Sequence, residues 1–305
     1  MDEIQALLLE QVAQLHEIPA GAYNIRANGA SAGRNVTEHI DIVTKQDKEG
    51  IDIIIKPGTK QESVHIPVVL SQSGLQEMVY NDFYIGEGAD VTIVAGCGIH
   101  NAGDRTSKHD GVHSFFVEKG AKVRYVERHY GQGEGAGERI MNPQTVIHLA
   151  EGAYLEMETT QIKGVDSTRR VTTAKVGKDA TLIIREKLMT HGKQTAVTEF
   201  SVDLDGENSH ANVISRSVAK NHSVQKFLSR INGNAKCYGH SECDAILMDS
   251  GMVSAIPEVT ANHLDATLIH EAAIGKIAGE QIIKLRTLGL SEEEAEQEIV
   301  KGFLK

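Results

Sequence analysis

The stretches Gly88-Ala89-Asp90-Val91, Gly120-Ala121-Lys122-Val123 and Gly152-Ala153-Tyr154-Leu155 repeat one small pattern. A turn residue is followed by alanine, a variable residue and then an apolar one. The pattern recurs more loosely as Asp179-Ala180-Thr181-Leu182, His210-Ala211-Asn212-Val213, Asn234-Ala235-Lys236-Cys237 and Asp265-Ala266-Thr267-Leu268. Successive alanines fall 32, 32, 27, 31, 24 and 31 residues apart. A period of roughly 20–50 residues is the mark of a solenoid. Each coil of such a fold buries its apolar face only by stacking on its neighbours. The competing all-β architecture, a two-sheet sandwich, would space its hairpins less evenly.

Outward from these turns, short apolar or β-branched runs read as strands: Ile53–Ile55, Val91–Val94, Val123–Val126, Leu155–Met157, Leu182–Ile184 and Ala245–Met248. Both ends read as helices. Ile4, Leu7, Leu8, Val12 and Leu15 recur at helical spacing before Pro19, and this helix is expected to lie over one end of the rest. Ile282, Leu285 and Leu288 share a helical face after Gly279, and Gly289 ends it. Ser291 and Glu294 then form a capping box for a last helix with Ala295, Ile299, Val300 and Phe303 on its apolar face. The chain thus divides into an N-terminal helix (1–20), an all-β solenoid core (21–272) and a C-terminal helical segment (273–305). That segment either caps the open edge strand or docks another chain.

Composition narrows the function. The net charge is −11, with 42 acidic against 31 basic side chains and no Lys/Arg-rich run. That argues against nucleic acid, whose phosphates need a dense positive face. Tryptophan is absent and aromatics make up 4% of the chain, whereas glycine occurs 29 times. Sugar-cleaving sites rely on aromatic platforms and paired carboxylates, so a carbohydrate-active β-helix is disfavoured. Three cysteines, Cys97, Cys237 and Cys243, are too few for a disulfide framework. With no signal-peptide layout and no membrane-length apolar run, the expectation is a cytoplasmic protein with free thiols.

Few constellations carry chemistry. Residues 237–244 (CYGHSECD) place two thiols, an imidazole and two carboxylates together. Cys237 falls in the strand pattern and reads as a small buried hydrophobe. Cys243 sits among polar residues. The Cys-x5-Cys spacing matches no zinc-ribbon or ferredoxin site. His270 and Glu271 follow about one period later, so stacking would bring them near Cys243; such a pair can bind a metal, act as acid and base, or form a plain surface ion pair. Gly96-Cys97-Gly98 reads as a strand-end turn bearing a thiol, with His109 and His113 downstream. No phosphate loop is present. The glycine-rich 131–137 reads as a mobile loop.

At these residues the chain resembles the SufB/SufD family. The resemblance rests on residues 234–257, on 270–277 (HEAAIGKI), on the closing 289–303, and on Gly96-Cys97 with His109 and the strand ending at Tyr125. It implies a right-handed parallel β-helix with helical ends, and a scaffold, not an enzyme, on which a transient iron–sulfur cluster is assembled. It further implies an ABC-type ATPase partner, SufC, on the C-terminal helices. A homodimer or a second SufB/SufD-family chain would supply the pair interface, with a separate sulfur donor. Cys243, Glu271 and His270 match cluster- or iron-ligating positions, and Cys97 matches a cysteine on a sulfur route. Ile269 stands where SufB has a further Glu, and Leu268 where SufD has a Cys, so the chain is expected to be a short SufB-like form. A structural or adaptor solenoid without a cluster is the alternative.

Overall fold

The computed structural model describes residues 2–15, 17 and 19–305. Two ten-stranded sheets run alongside each other. The first runs, edge to edge, through Ala30–Asn35, Ala22–Ala27, Lys60–Leu70, Asp90–His100, Lys122–Gln132, Tyr154–Lys163, Thr181–Thr190, Ser209–Ala219, Cys237–Leu247 and Thr267–Gly275. The second alternates with it along the chain, from Ile40–Thr44 and Gly50–Ile55 at one edge to Val224–Gly233 and Met252–Ala261 at the other. Neighbouring strands are parallel except for one antiparallel pair at the N-terminal edge of each sheet. The chain therefore coils as a parallel β-solenoid of about eight turns.

The repeat marks the corners of these coils. Gly88, Gly120, Gly152, Asp179 and Asn208 take φ of 63°, 65°, 67°, 53° and 57°. Glycine reaches this left-handed region freely, and Asp and Asn reach it more readily than other side chains. The next residue enters the core. Strand register aligns Ala89, Ala121, Ala153, Ala180, Ser209, Cys237 and Ala266 in one row. The sequence pattern placed Ala211 and Ala235 in that row, each two residues from the true position. With Ser209 and Cys237 restored, the spacing becomes 32, 32, 27, 29, 28 and 29. Cys237 therefore occupies an alanine position and is buried, as a small apolar side chain would be.

Alternate residues of each strand point into the lumen, where Ile, Val, Leu and Ala stack in rows. Stacking of like side chains from coil to coil fills the space without large aromatics, which accounts for the composition. Aromatic exceptions are Phe83 and Phe115, stacked with ring centres 4.5 Å apart and met edge-on by Tyr125, and Phe200 beside Phe227 at 5.8 Å.

Helix α1 (Glu3–Ala13) is capped reciprocally by Asp2 and Gln5. It lies across the outer face of the first sheet, over Lys60–Leu70, Asp90–His100 and Lys122–Gln132, and not over an end of the solenoid. Leu8, Leu9 and Val12 are buried there, while Ile4 and Leu7 stay exposed. The reason is bare backbone beneath the helix. A Cβ at Gly96 would stand 2.5 Å from the Arg128 carbonyl and 2.9 Å from that of Val12, and one at Gly98 would stand 3.0 Å from the Leu8 Cβ. Gly96→Val is therefore expected to undock α1, forfeiting about 1.5–3 kcal/mol for each side chain the helix buries. Hydrogen exchange of residues 3–13 would then lose its protection; retained protection would refute this account.

At the other end, α2 (Gly279–Thr287) buries no side chain, and Ile283 and Leu288 are exposed. The expected capping box opens α3 (Glu292–Phe303): the Glu294 N–H donates to Ser291 Oγ and the Ser291 N–H to the Glu294 carboxylate. Val300, Phe303 and Leu304 pack with Ile277 against Val218 and Met248. The last strands, Met252–Ala261 and Thr267–Gly275, each pair on one side only and keep Ile256, Val259, Ile269 and Ile274 exposed. Among the described residues, no helix is long and apolar enough to cross a membrane.

Candidate functional site

Three of the residues singled out in the sequence share two adjacent strands at the open end. Cys243 and His270 lie on the lumenal side, in the phase of Ser241 and Ala245. Cys243 is 1% exposed, and burial, followed by the charges of Glu186 and Asp244, pushes its thiol up to about 12. The His270 ring is half-buried, and burial, followed by the charge of His240, lowers its pKa. Glu271 points the other way. It pairs in register with Glu242 on the outer face, 3.5 Å from His240 Nε2. The strand alternation thus brings Cys243 and His270 to one side of the sheet and sets Glu271 on the other.

Cys97 is not in a turn. It lies inside the strand Asp90–His100, in the lumenal phase of Val91, Ile93, Ala95 and Ile99, while its two flanking glycines face α1. Burial, followed by Glu77 and Glu127, raises its pKa well above that of a free thiol. Beside it is a cavity of about 20 Å³ lined by Asn81, His109, His113, Glu127 and His129. His109 pairs with Glu77 at 2.8 Å.

Between the two thiols the lumen turns polar. The Cys243 row continues through Ser215, Glu186, Thr159 and Glu127. The Cys97 row continues through His129 and Gln161. All six of these intervening side chains are buried. His113 contacts the Tyr125 hydroxyl at 2.7 Å, and that hydroxyl donates to Glu127 at 3.0 Å. Arg170, from the facing sheet, donates to Glu127 at 2.5 Å and lies 3.7 Å from Glu186. Glu186 in turn accepts from Thr198 at 2.9 Å and from Ser215 at 2.8 Å. Burial alone would raise Glu127; the Arg170 guanidinium and His129 reverse this and hold it well below the usual carboxylate range. Five strand spacings of about 4.8 Å put the thiols roughly 24 Å apart along this path.

The sequence reading missed this network. Its signal was present: Val123, Tyr125, Glu127 and His129 alternate in one phase, so a carboxylate follows two core positions. The glycine-rich 131–137 was read as a mobile loop. It is a loop, but Gly135 and Gly137 donate backbone hydrogen bonds to Asn101 and Gly103, and a Cβ at Gly135 would stand 2.2 Å from the Gly103 carbonyl. The glycines serve close backbone stacking.

Known proteins share much of this sequence. A family model described as "SUF system FeS cluster assembly, SufBD core domain" matches residues 71–303. An iron–sulfur cluster assembly SufBD family protein of Archaeoglobus fulgidus is 33% identical over 264 residues, covering 85% of this chain and 69% of that protein. A relative of the same description from Methanothermobacter thermautotrophicus is 28% identical over 261 residues, covering 84% of this chain and 62% of its own length. One from Methanocaldococcus jannaschii is 27% identical over 255 residues, covering 83% and 79%. A parallel solenoid whose lumen and open end hold the cysteines, matched by the core-domain model over most of its length, belongs to the SufBD family of iron–sulfur cluster assembly proteins.

Proposed function

We propose that this chain is the scaffold of a SUF-type assembly complex, building a labile iron–sulfur cluster from sulfur accepted at Cys97 and iron held near Cys243. The observation that carries the reading is the buried polar lumen with one thiol toward each end. A solenoid serving only as an adaptor has no use for buried charge, which is costly to desolvate. At Cys97, the terminal sulfur of a donor persulfide passes to the thiolate, leaving the donor as a thiolate and Cys97 as a persulfide. His109, His113 and His129 line the adjoining cavity and are the candidate bases.

Cys243, His270 and Glu271 ligate the nascent iron or cluster in this reading. Thiolate binds it firmly, and imidazole and carboxylate less so, which suits a site that must release its product. Because strand alternation sets Glu271 opposite Cys243, all three can act together only after the last coil rearranges. That coil is held on one side only, and its exposed apolar residues suit pairing with a second copy, which would double the ligands about a two-fold axis. A SufC-type ATPase on α2 and α3 would supply the movement, favouring the open state through state-dependent contacts.

The test is anaerobic reconstitution with ferrous iron and sulfide, read by absorption and Mössbauer spectra. The wild type is expected to form a chelator-labile cluster and Cys243→Ala to lose it. No cluster in the wild type, with partner and ATP supplied, would favour the adaptor role instead; a cluster indifferent to Cys243 would overturn the site.

A further inference from the structure

On the outer face of the first sheet, directly behind Cys243, one nitrogen and two carboxylate ligand atoms from His240, Glu242 and Glu271 lie within 4.8 Å of one another. His240 and Glu242 come from Cys237–Leu247 and Glu271 from the neighbouring Thr267–Gly275, and Glu242 stands in register with Glu271. We propose that these three side chains form a ferrous-iron loading site, separate from the thiol in the lumen. The inference deepens the scaffold reading, on which its choice of iron rests, and sets incoming iron on the face of the strand opposite Cys243.

Three features point to a cation. First, His240 is oriented: its Nδ1 lies 2.9 Å from Asn212 Oδ1. An amide oxygen only accepts, so Nδ1 carries a proton, which leaves Nε2 as the lone-pair nitrogen of the neutral ring. This is the way metal-bound imidazoles are held by their outer partners. Second, that lone pair faces a carboxylate oxygen of Glu271 at 3.5 Å. At that separation the two atoms are too far apart for a good hydrogen bond and can both reach a cation placed between them. Third, like charges placed directly opposite on neighbouring strands repel. Glu242 meets Glu271 in this way, with Asp244 beside it, and Arg216 is the cation on the adjoining strand. Asn212, Ile214 and Arg216 on one side and Ile269 on the other are the groups facing the cluster.

One imidazole and two carboxylates suit divalent first-row ions of intermediate hardness, and without thiolate they bind iron loosely enough to pass it on. The site lies one strand thickness from Cys243, at the coil with a free edge. Movement of that edge strand carries Glu271 with it, so opening the coil both uncovers Cys243 and loosens the iron.

The test is anaerobic ferrous titration without sulfide, competed against a chromogenic ferrous chelator. The wild type is expected to bind one ion per chain. His240→Ala and the isosteric Glu242→Gln should each weaken binding at least tenfold, and Asn212→Ala, which removes no ligand, by about tenfold. Cys237→Ala, which removes a buried thiol of the same strand that has no ligand role, should bind as the wild type does. Binding unchanged in His240→Ala and Glu242→Gln, absent from the wild type, or lost in Cys237→Ala would overturn the site. All positions replaced on the outer face are checked for folding by circular dichroism. Adding sulfide afterwards separates the two readings. A Cys243-dependent cluster with His240-independent iron binding removes only this site, whereas iron bound by the three residues with no cluster formed removes only the scaffold reading.

Discussion

Arg170→Met is expected to destabilise the solenoid by about 3–5 kcal/mol, the usual cost of stranding a buried charge. The guanidinium lies between Glu127 and Glu186, and all three side chains are at most 6% exposed. Removing it leaves two carboxylates facing each other in the lumen. Denaturant unfolding of the two proteins at pH 7 measures the loss; a difference below about 1 kcal/mol would mean that water, not Arg170, solvates the carboxylates.

The pH dependence gives a second check with a definite sign. In the native protein Glu127 is held well below its unfolded value, despite burial, chiefly by Arg170. Its contribution to stability is therefore present above the unfolded value of about 4.3 and is lost as the pH falls through the lower folded value. Without Arg170, burial dominates and the folded pKa rises above the unfolded one. The variant then gains relative stability as the pH drops toward about 4.3, because the protonated form suits the lumen. The gap between wild type and variant is expected to narrow between pH 7 and pH 4. A constant gap would mean that Glu127 is not what Arg170 neutralises.

Cys243 in the isolated chain is expected to react with iodoacetamide at least about 10³-fold more slowly than a free thiol at neutral pH, since only the thiolate attacks. Its pKa of about 12 and its 1% exposure both act in this direction. Cys97 should be equally silent and Cys237 slow, because burial raises all three. Peptide mass spectrometry resolves the three rates, and the unfolded chain provides the free-thiol reference. Adding the ATPase partner with ATP is expected to speed alkylation of Cys243 selectively. Fast alkylation in the isolated chain would show that the last coil opens unaided, and the need for a driven movement would fall away.

The repeat made the solenoid legible because it records a local requirement. A left-handed corner takes Gly, Asp or Asn, and the next position admits only a small side chain, whatever lies further off in the chain. The same locality made the Ser291–Glu294 cap readable. Where the corner residue changed, as at Asn208, and the alanine became Ser209 or Cys237, the pattern slipped by two residues, and only ladder register restored it. Two residues preserve strand phase, so the slip left every side chain on its correct face.

The residues of the candidate site were legible as types at a period's distance, and the family resemblance named them. Their facing was harder to read. His270 and Glu271 are neighbours in sequence and for that reason point to opposite sides of a strand. Whether the edge strand keeps that arrangement depends on what pairs with it. Likewise, Gly96-Cys97-Gly98 looked like a turn because glycine usually marks one; here glycine makes room for α1, a helix more than 80 residues upstream.

By itself, then, the sequence determined the coiled architecture, the helical ends and the chemical kinds of side chain available, since each follows from short-range backbone and burial rules. The tertiary structure decided which of those side chains meet. Stacking at about 4.8 Å per coil joins Glu127, Glu186 and Ser215 into one row, brings Arg170 in from the opposite sheet and sets Glu242 against Glu271. These contacts span tens of residues of chain, and their partners are chosen by register between coils, which no local pattern encodes.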